Sequence, residues 1–196
     1  MKTIVLGSTS PFRKSLLEKF NLPFETAKPN IDESPLENET PQALVERLSV
    51  EKAKAVADEF PDALIIGSDQ VAVCEDEILG KPHTHENAIK QLTKFSNKKI
   101  EFLTGLTVYN SGTGEVHSVV EPFSVHFKSL TASAIDNYLK AETPYNCAGS
   151  FKSEGLGICL FEKLEGDDPN SLIGLPLIRL SELLLAHGLD VLAEQS

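Results

Sequence analysis

The 196-residue chain is 41% hydrophobic and 24% charged, with a net charge of −11, which fits a soluble globular protein and argues against a general nucleic-acid binder, since that needs a basic face. A phosphorylated substrate stays compatible, because a few local Lys and Arg with a divalent cation outweigh a distant acidic surface. Three scattered cysteines, Cys74, Cys147 and Cys159, form no CxxC pair, so a reducing cytoplasm is expected rather than a disulfide framework or zinc knuckle. The apolar run Ile4–Leu6 is too short for a signal-peptide core, and no stretch approaches bilayer length.

Residues 3–6 read as a strand that enters a hydroxyl-rich turn. A helix over 11–20 follows, with Ser10 as N-cap and Pro11 at its first position. Such a junction aims backbone N–H groups and a positive helix end at one spot, which suits phosphate. Arg13, one turn in, adds a two-pronged phosphate donor. Residues 23–40 read as an extended polar loop carrying Asp32 and Glu33, and a helix over 41–59 starts at the Thr40 cap. On that helix Lys52 interrupts the inward stripe Val45, Ser49, Val56. A lysine so placed needs a partner or a ligand, or else snorkels.

The apolar run 63–67 reads as a buried strand ending at Gly67-Ser68-Asp69-Gln70, which puts Asp69 just past its carboxyl end. Ligand crevices of open α/β sheets lie outside such ends. A carboxylate there can hold a metal ion or take a proton from an attacking water. A hairpin over 71–79 turns at Glu75-Asp76-Glu77, and Lys81 follows in the rigid Gly80-Lys81-Pro82 turn. A helix over 84–95 and strands over 100–110 and 115–127 come next, then a helix over 131–141, a strand near 157–163, a turn at 166–170 and a last helix over 176–187 stopped by Gly188. His83 and His85 read as surface residues, Tyr109 and Tyr138 as core or edge aromatics, and the acidic run 162–168 as a solvated turn. The whole reads as one α/β domain over 1–196, or as two lobes flanking a cleft.

Several pieces, in order, resemble the Maf family of nucleoside triphosphate pyrophosphatases. They are Ser8-Thr9-Ser10-Pro11-Phe12-Arg13, Asp32-Glu33, Glu51-Lys52-Ala53, Gly67-Ser68-Asp69-Gln70-Val71, Gly80-Lys81-Pro82, Thr104-Gly105, Gly149-Ser150-Phe151-Lys152-Ser153-Glu154-Gly155 and Gly174-Leu175-Pro176. The resemblance implies an elongated mixed β-sheet with flanking helices around a central cleft, similar in architecture to inosine triphosphate pyrophosphatases. It implies a divalent cation, Mg2+ or Mn2+, a cytoplasmic location and a homodimer. The implied reaction hydrolyses a nucleotide between the α- and β-phosphates. By position, Asp69 matches the family's catalytic and metal-holding acid, while Ser8, Arg13, Glu33, Lys52 and Lys81 match its phosphate- and metal-handling set.

Glu154 stands where the dTTP- and UTP-hydrolysing branch carries Gln, so the chain is similar to the 7-methyl-GTP branch. Guanine offers two adjacent donors that a carboxylate accepts side by side, and N7 methylation puts a positive charge on the base. That favours Glu154 and an aromatic face such as Phe12, with Gln70 as a further polar contact. The alternatives are a dTTP/UTP enzyme of the same family, a septum-linked regulator acting through protein contacts, and a phosphatase releasing orthophosphate.

Overall fold

The computed structural model describes residues 2–195. Its elements are β1 (Thr3–Gly7), α1 (Pro11–Leu17), β2 (Glu25–Ala27), α2 (Pro41–Lys54), β3 (Ala63–Cys74), β4 (Glu77–Leu79), α3 (His85–Phe95), β5 (Lys99–Asn110), β6 (Val116–Phe127), α4 (Ala132–Glu142), β7 (Phe161–Glu165), α5 (Pro169–Ile173) and α6 (Leu177–Ala186). The strands form one mixed sheet in the order β2-β1-β3-β5-β6-β7, with β4 paired to β3. β1 runs parallel to both β2 and β3, whereas β3–β4 and β6–β7 are antiparallel. The expected mixed α/β sheet with flanking helices is therefore present.

The chain falls into two compact units. The first comprises the chain up to Asp69, then Thr104–Glu121, then the chain from Gly174 onward; the second comprises Gln70–Leu103 and Pro122–Ile173. In the first unit a core of Val5, Ala53, Val56, Ala63 and Ile65 joins α2 to β1 and β3. α2 lies unusually close to the strands because three glycines leave room for it. A Cβ built on Gly67 would sit 2.0 Å from the Ser49 carbonyl oxygen, one on Gly105 would sit 2.0 Å from that of Val45, and one on Gly7 would sit 3.1 Å from that of Lys52. The glycines are thus spent on helix–sheet approach rather than on turns.

The second unit is built on aromatic packing. Phe95, Phe102, Phe127, Phe151 and Phe161 are all buried. Phe151 and Phe161 meet edge-to-face at 4.8 Å, and Phe102 and Phe151 at 5.3 Å, the geometry aromatic quadrupoles favour.

Several local expectations need correction. β3 does not stop at Gly67 but continues to Cys74, so Asp69 lies inside a strand. Polar Ser68 and Asp69 remain in it because their side chains find partners, described below. The loop 23–40 contains the short strand β2. The region 157–160 is a 3-10 turn that precedes β7. Asp168 is not solvated: it is fully buried, and its carboxylate accepts from the Asn170 backbone at 2.8 Å. His85 is half-buried, bonded to the Tyr145 hydroxyl and the Asp136 carboxylate.

Candidate active site

In the first unit the β1–α1 junction folds largely as its residue types dictate. Ser10 caps α1 by accepting from the Arg13 backbone N–H, and the Ser8 hydroxyl accepts from Ser10 N–H at 3.1 Å. Ser8 is buried. The caps already take up part of the N–H display that the strand–helix turn promises an anion.

Arg13 is placed by backbone distant in the chain. Its Nε donates to the Gly174 carbonyl at 2.9 Å, and Ser68 Oγ donates to the same oxygen at 3.1 Å. Gly174 adopts φ +125, a conformation costly for any other residue. This accounts for the Gly174-Leu175-Pro176 segment. Burial lowers the Arg13 pKa, while the charges of Asp69 and Glu33 oppose that shift.

Lys52 is 6% exposed and Asp69 8% exposed. Lys52 Nζ donates to Asp69 Oδ1 at 2.7 Å and lies 3.2 Å from Glu33 Oε2. The interrupted stripe on α2 thus resolves as a buried ion pair, not a snorkelling stem. A buried charge survives only when it is paired; here one ammonium serves two carboxylates, and Arg13 balances the second negative charge. The loop carrying Glu33 is itself anchored. Arg47 donates to Glu39 Oε1 and Oε2 at 2.6 and 2.8 Å and to the Ser34 carbonyl at 3.1 Å. Glu33 and Asp69 each have a second oxygen beyond the one facing Lys52, a hard donor set that fits Mg2+ or Mn2+. Phe12, half-buried on α1, belongs to the same unit.

Gln70, Lys81 and Glu154 belong to the second unit. Gln70 Nε2 donates to the Ser171 and Leu172 carbonyls at 2.7 and 3.3 Å, so its donor end holds α5. Lys81 and Glu154 are exposed. Both act electrostatically on Cys147, whose thiol is pushed up to about 11 by burial first and by Glu154 next, with Lys152 and Lys81 opposing. The loop bearing Glu154 is fixed on α4. Lys152 N–H donates to the Tyr138 hydroxyl at 3.0 Å, Lys152 Nζ to the Glu142 carbonyl at 3.1 Å, and Leu156 N–H to the Glu142 carboxylate at 2.6 Å. Tyr138 is buried, and burial raises its pKa.

One cluster escaped the sequence reading: Glu115, His117 and His187 of the first unit meet at the end of the β5–β6 hairpin. The three cysteines carry no disulfide, as expected.

The Maf-like protein family matches residues 3–187 of the chain. A Colwellia psychrerythraea protein named 7-methyl-GTP pyrophosphatase is 70% identical over 196 residues, covering 100% of this chain and 98% of that protein. A protein of the same name from Pseudoalteromonas translucida is 63% identical over 193 residues, covering 98% and 96% of the two chains. Among solved structures, the Staphylococcus aureus Ham1 protein aligns with a TM-score of 0.45 and 16% identity, covering 64% of this chain and 72% of that one.

Proposed function

Because this chain belongs to the Maf family, we propose that it is a nucleotide pyrophosphatase that prefers 7-methyl-GTP and releases 7-methyl-GMP and pyrophosphate. The single observation that supports it most is the group formed by Lys52, Asp69 and Glu33, with Arg13 fixed beside it. Phosphoryl transfer needs little covalent chemistry from the protein; it needs positioned charge. In this reading water attacks the α-phosphorus, the bond between that phosphorus and the bridging oxygen to the β-phosphate breaks, and pyrophosphate leaves. Asp69 orients the water and acts as its general base. Lys52 keeps that carboxylate aimed, through its 2.7 Å bond, and adds positive charge where negative charge develops. Arg13, its Nε committed to the Gly174 carbonyl, offers its terminal nitrogens to the phosphates. Ser8, of the same unit, completes the phosphate contacts. A divalent cation held by Glu33 and Asp69 would supply further charge neutralisation on the phosphate oxygens.

The base is read by Glu154, which accepts the two adjacent guanine donors. Gln70 contributes less than its residue type promises, since its donor end is held by backbone. The names of the relatives at 70% and 63% identity support the same substrate. A cytoplasmic location and a homodimer belong to this reading.

The test is pyrophosphate release by the purified full chain with Mg2+ or Mn2+ across 7-methyl-GTP, GTP, dTTP, UTP and CTP. Preference for 7-methyl-GTP is expected. Preference for UTP or dTTP would discard the base assignment, orthophosphate as product would discard the reaction, and no turnover from folded protein would favour a regulatory role.

A further inference from the structure

From Glu115, His117 and His187 we infer that the first unit carries a second cation site, selective for a zinc-like transition-metal dication and separate from the Glu33–Asp69 pair. The three side chains each offer one ligand atom, all within 4.8 Å of one another. His187 is the most constrained of the three. Its side chain is 0% exposed, and Nδ1 is a buried polar atom with no hydrogen-bond partner. Its Nε2 lies 3.1 Å from the Val108 carbonyl. A carbonyl only accepts, so Nε2 bears the proton and Nδ1 of the neutral ring presents a lone pair. That lone pair faces Glu115 Oε2 at 3.5 Å, another acceptor.

Two acceptors held face to face call for a positive species between them. A ring nitrogen tied to a backbone carbonyl is also the usual support for a metal-ligating histidine, because it fixes the tautomer. Zinc–ligand bonds of about 2.0–2.2 Å in a tetrahedron separate the ligand atoms by roughly 3.3–3.6 Å, which the His187–Glu115 spacing matches. His117 Nε2 lies 2.9 Å from Glu115 Oε1; it becomes a ligand by moving its proton to Nδ1, which needs no other group. The His117 and His187 rings stand 4.6 Å apart between centroids.

The position is rigid. His187 closes α6, its N–H bonded to the Leu183 and Leu184 carbonyls, and Gly188 follows at φ +84. A helix C-terminus favours positive charge. Two imidazoles and one carboxylate select zinc-like ions over Mg2+, which prefers all-oxygen shells. The cluster is also displaced from the proposed reaction centre. Ser111, in the β5–β6 turn, bonds to Ala63 at the start of β3, and Asp69 lies six residues further along that strand. Bound metal would clip the C-terminal end of α6 to the β5–β6 hairpin and leave a fourth position to water.

The test is Co2+ titration of the full chain in excess Mg2+, read by visible absorption and repeated with His117→Ala, whose side chain is partly exposed. The expected result is a ligand-field band that saturates at one equivalent, is displaced by Zn2+, and lacks the thiolate charge-transfer band that a cysteine site would show. His117→Ala should weaken binding at least about tenfold. In parallel, Zn2+ should raise the melting temperature of the wild type by more than that of the variant at the same metal concentration. No band, a thiolate band, or equal binding and equal melting shifts in the variant would overturn the inference. So would a proton as the sole occupant, seen as a His187 imidazolium by NMR that Zn2+ does not displace.

Discussion

Gly67→Ala tests how the reaction centre is assembled. A Cβ at this position would lie 2.0 Å from the Ser49 carbonyl oxygen and 2.8 Å from the Ala53 backbone nitrogen. Ordinary contact begins at 3.4 Å, so α2 must retreat from β3 by about 1.4 Å, since neither backbone atom can rotate aside. Lys52 stands on that stretch of α2, and Asp69 is two residues beyond Gly67 on β3. A retreat of that size stretches the 2.7 Å Lys52–Asp69 bond to roughly 4 Å, past hydrogen bonding. Overpacking costs about 1–3 kcal/mol in stability. Misplacing catalytic groups by about 1 Å costs on the order of a hundredfold in rate. Urea denaturation gives the first quantity, and pyrophosphate release at saturating substrate gives the second. A variant with wild-type stability and turnover would refute the idea that glycine-enabled contact places Lys52 against Asp69. A variant that loses stability and keeps turnover would confine the effect to packing.

Three other expectations follow from particular contacts. Arg47 holds the Glu39 carboxyl down to about 2 from its ordinary 4.5, so the stability this pair contributes is present above pH 4.5 and is lost as pH falls toward about 2. Urea midpoints of wild type and Glu39→Gln should differ at neutral pH and converge across that window; a constant gap would mean the charge is irrelevant. Glu154→Gln should lower the preference for 7-methyl-GTP over UTP by about tenfold, on the order of one lost charged hydrogen bond, in competition assays; an unchanged ratio would remove Glu154 as the base reader. Iodoacetamide on native protein should label exposed Cys159 first and spare Cys147, whose thiol is pushed up to about 11; faster labelling of Cys147 would contradict that environment.

What the sequence made legible depended on how local the cause was. The Ser10 and Thr40 caps, each with Pro after it, were readable because a helix start is decided within four residues. Lys52 was readable as an anomaly, since helical period alone put it among Val45, Ser49 and Val56. Its partners were not, because Asp69 and Glu33 come from other elements. The run Gly67-Ser68-Asp69-Gln70 reads locally as a turn. It is strand because Gly67 admits α2, and because Ser68 and Asp69 find partners on Gly174 and Lys52. Arg13 was visible as a cation, but its anchor lies 161 residues away at Gly174. The Glu115–His117–His187 cluster left no signal, since His187 stands far along the chain from the hairpin pair. Asp168 looked like one more acid in an acidic turn, and only burial marks it as a cap.

The most direct measurement of the central claim is turnover of Asp69→Asn, with its urea midpoint taken alongside. Asn keeps the shape and an acceptor for Lys52 but cannot take the water's proton. The account predicts a folded protein with turnover reduced by a factor of at least about a thousand, on the scale of lost general-base and charge stabilisation. Wild-type turnover from folded Asp69→Asn would contradict it and remove the Lys52–Asp69–Glu33 group from the reaction.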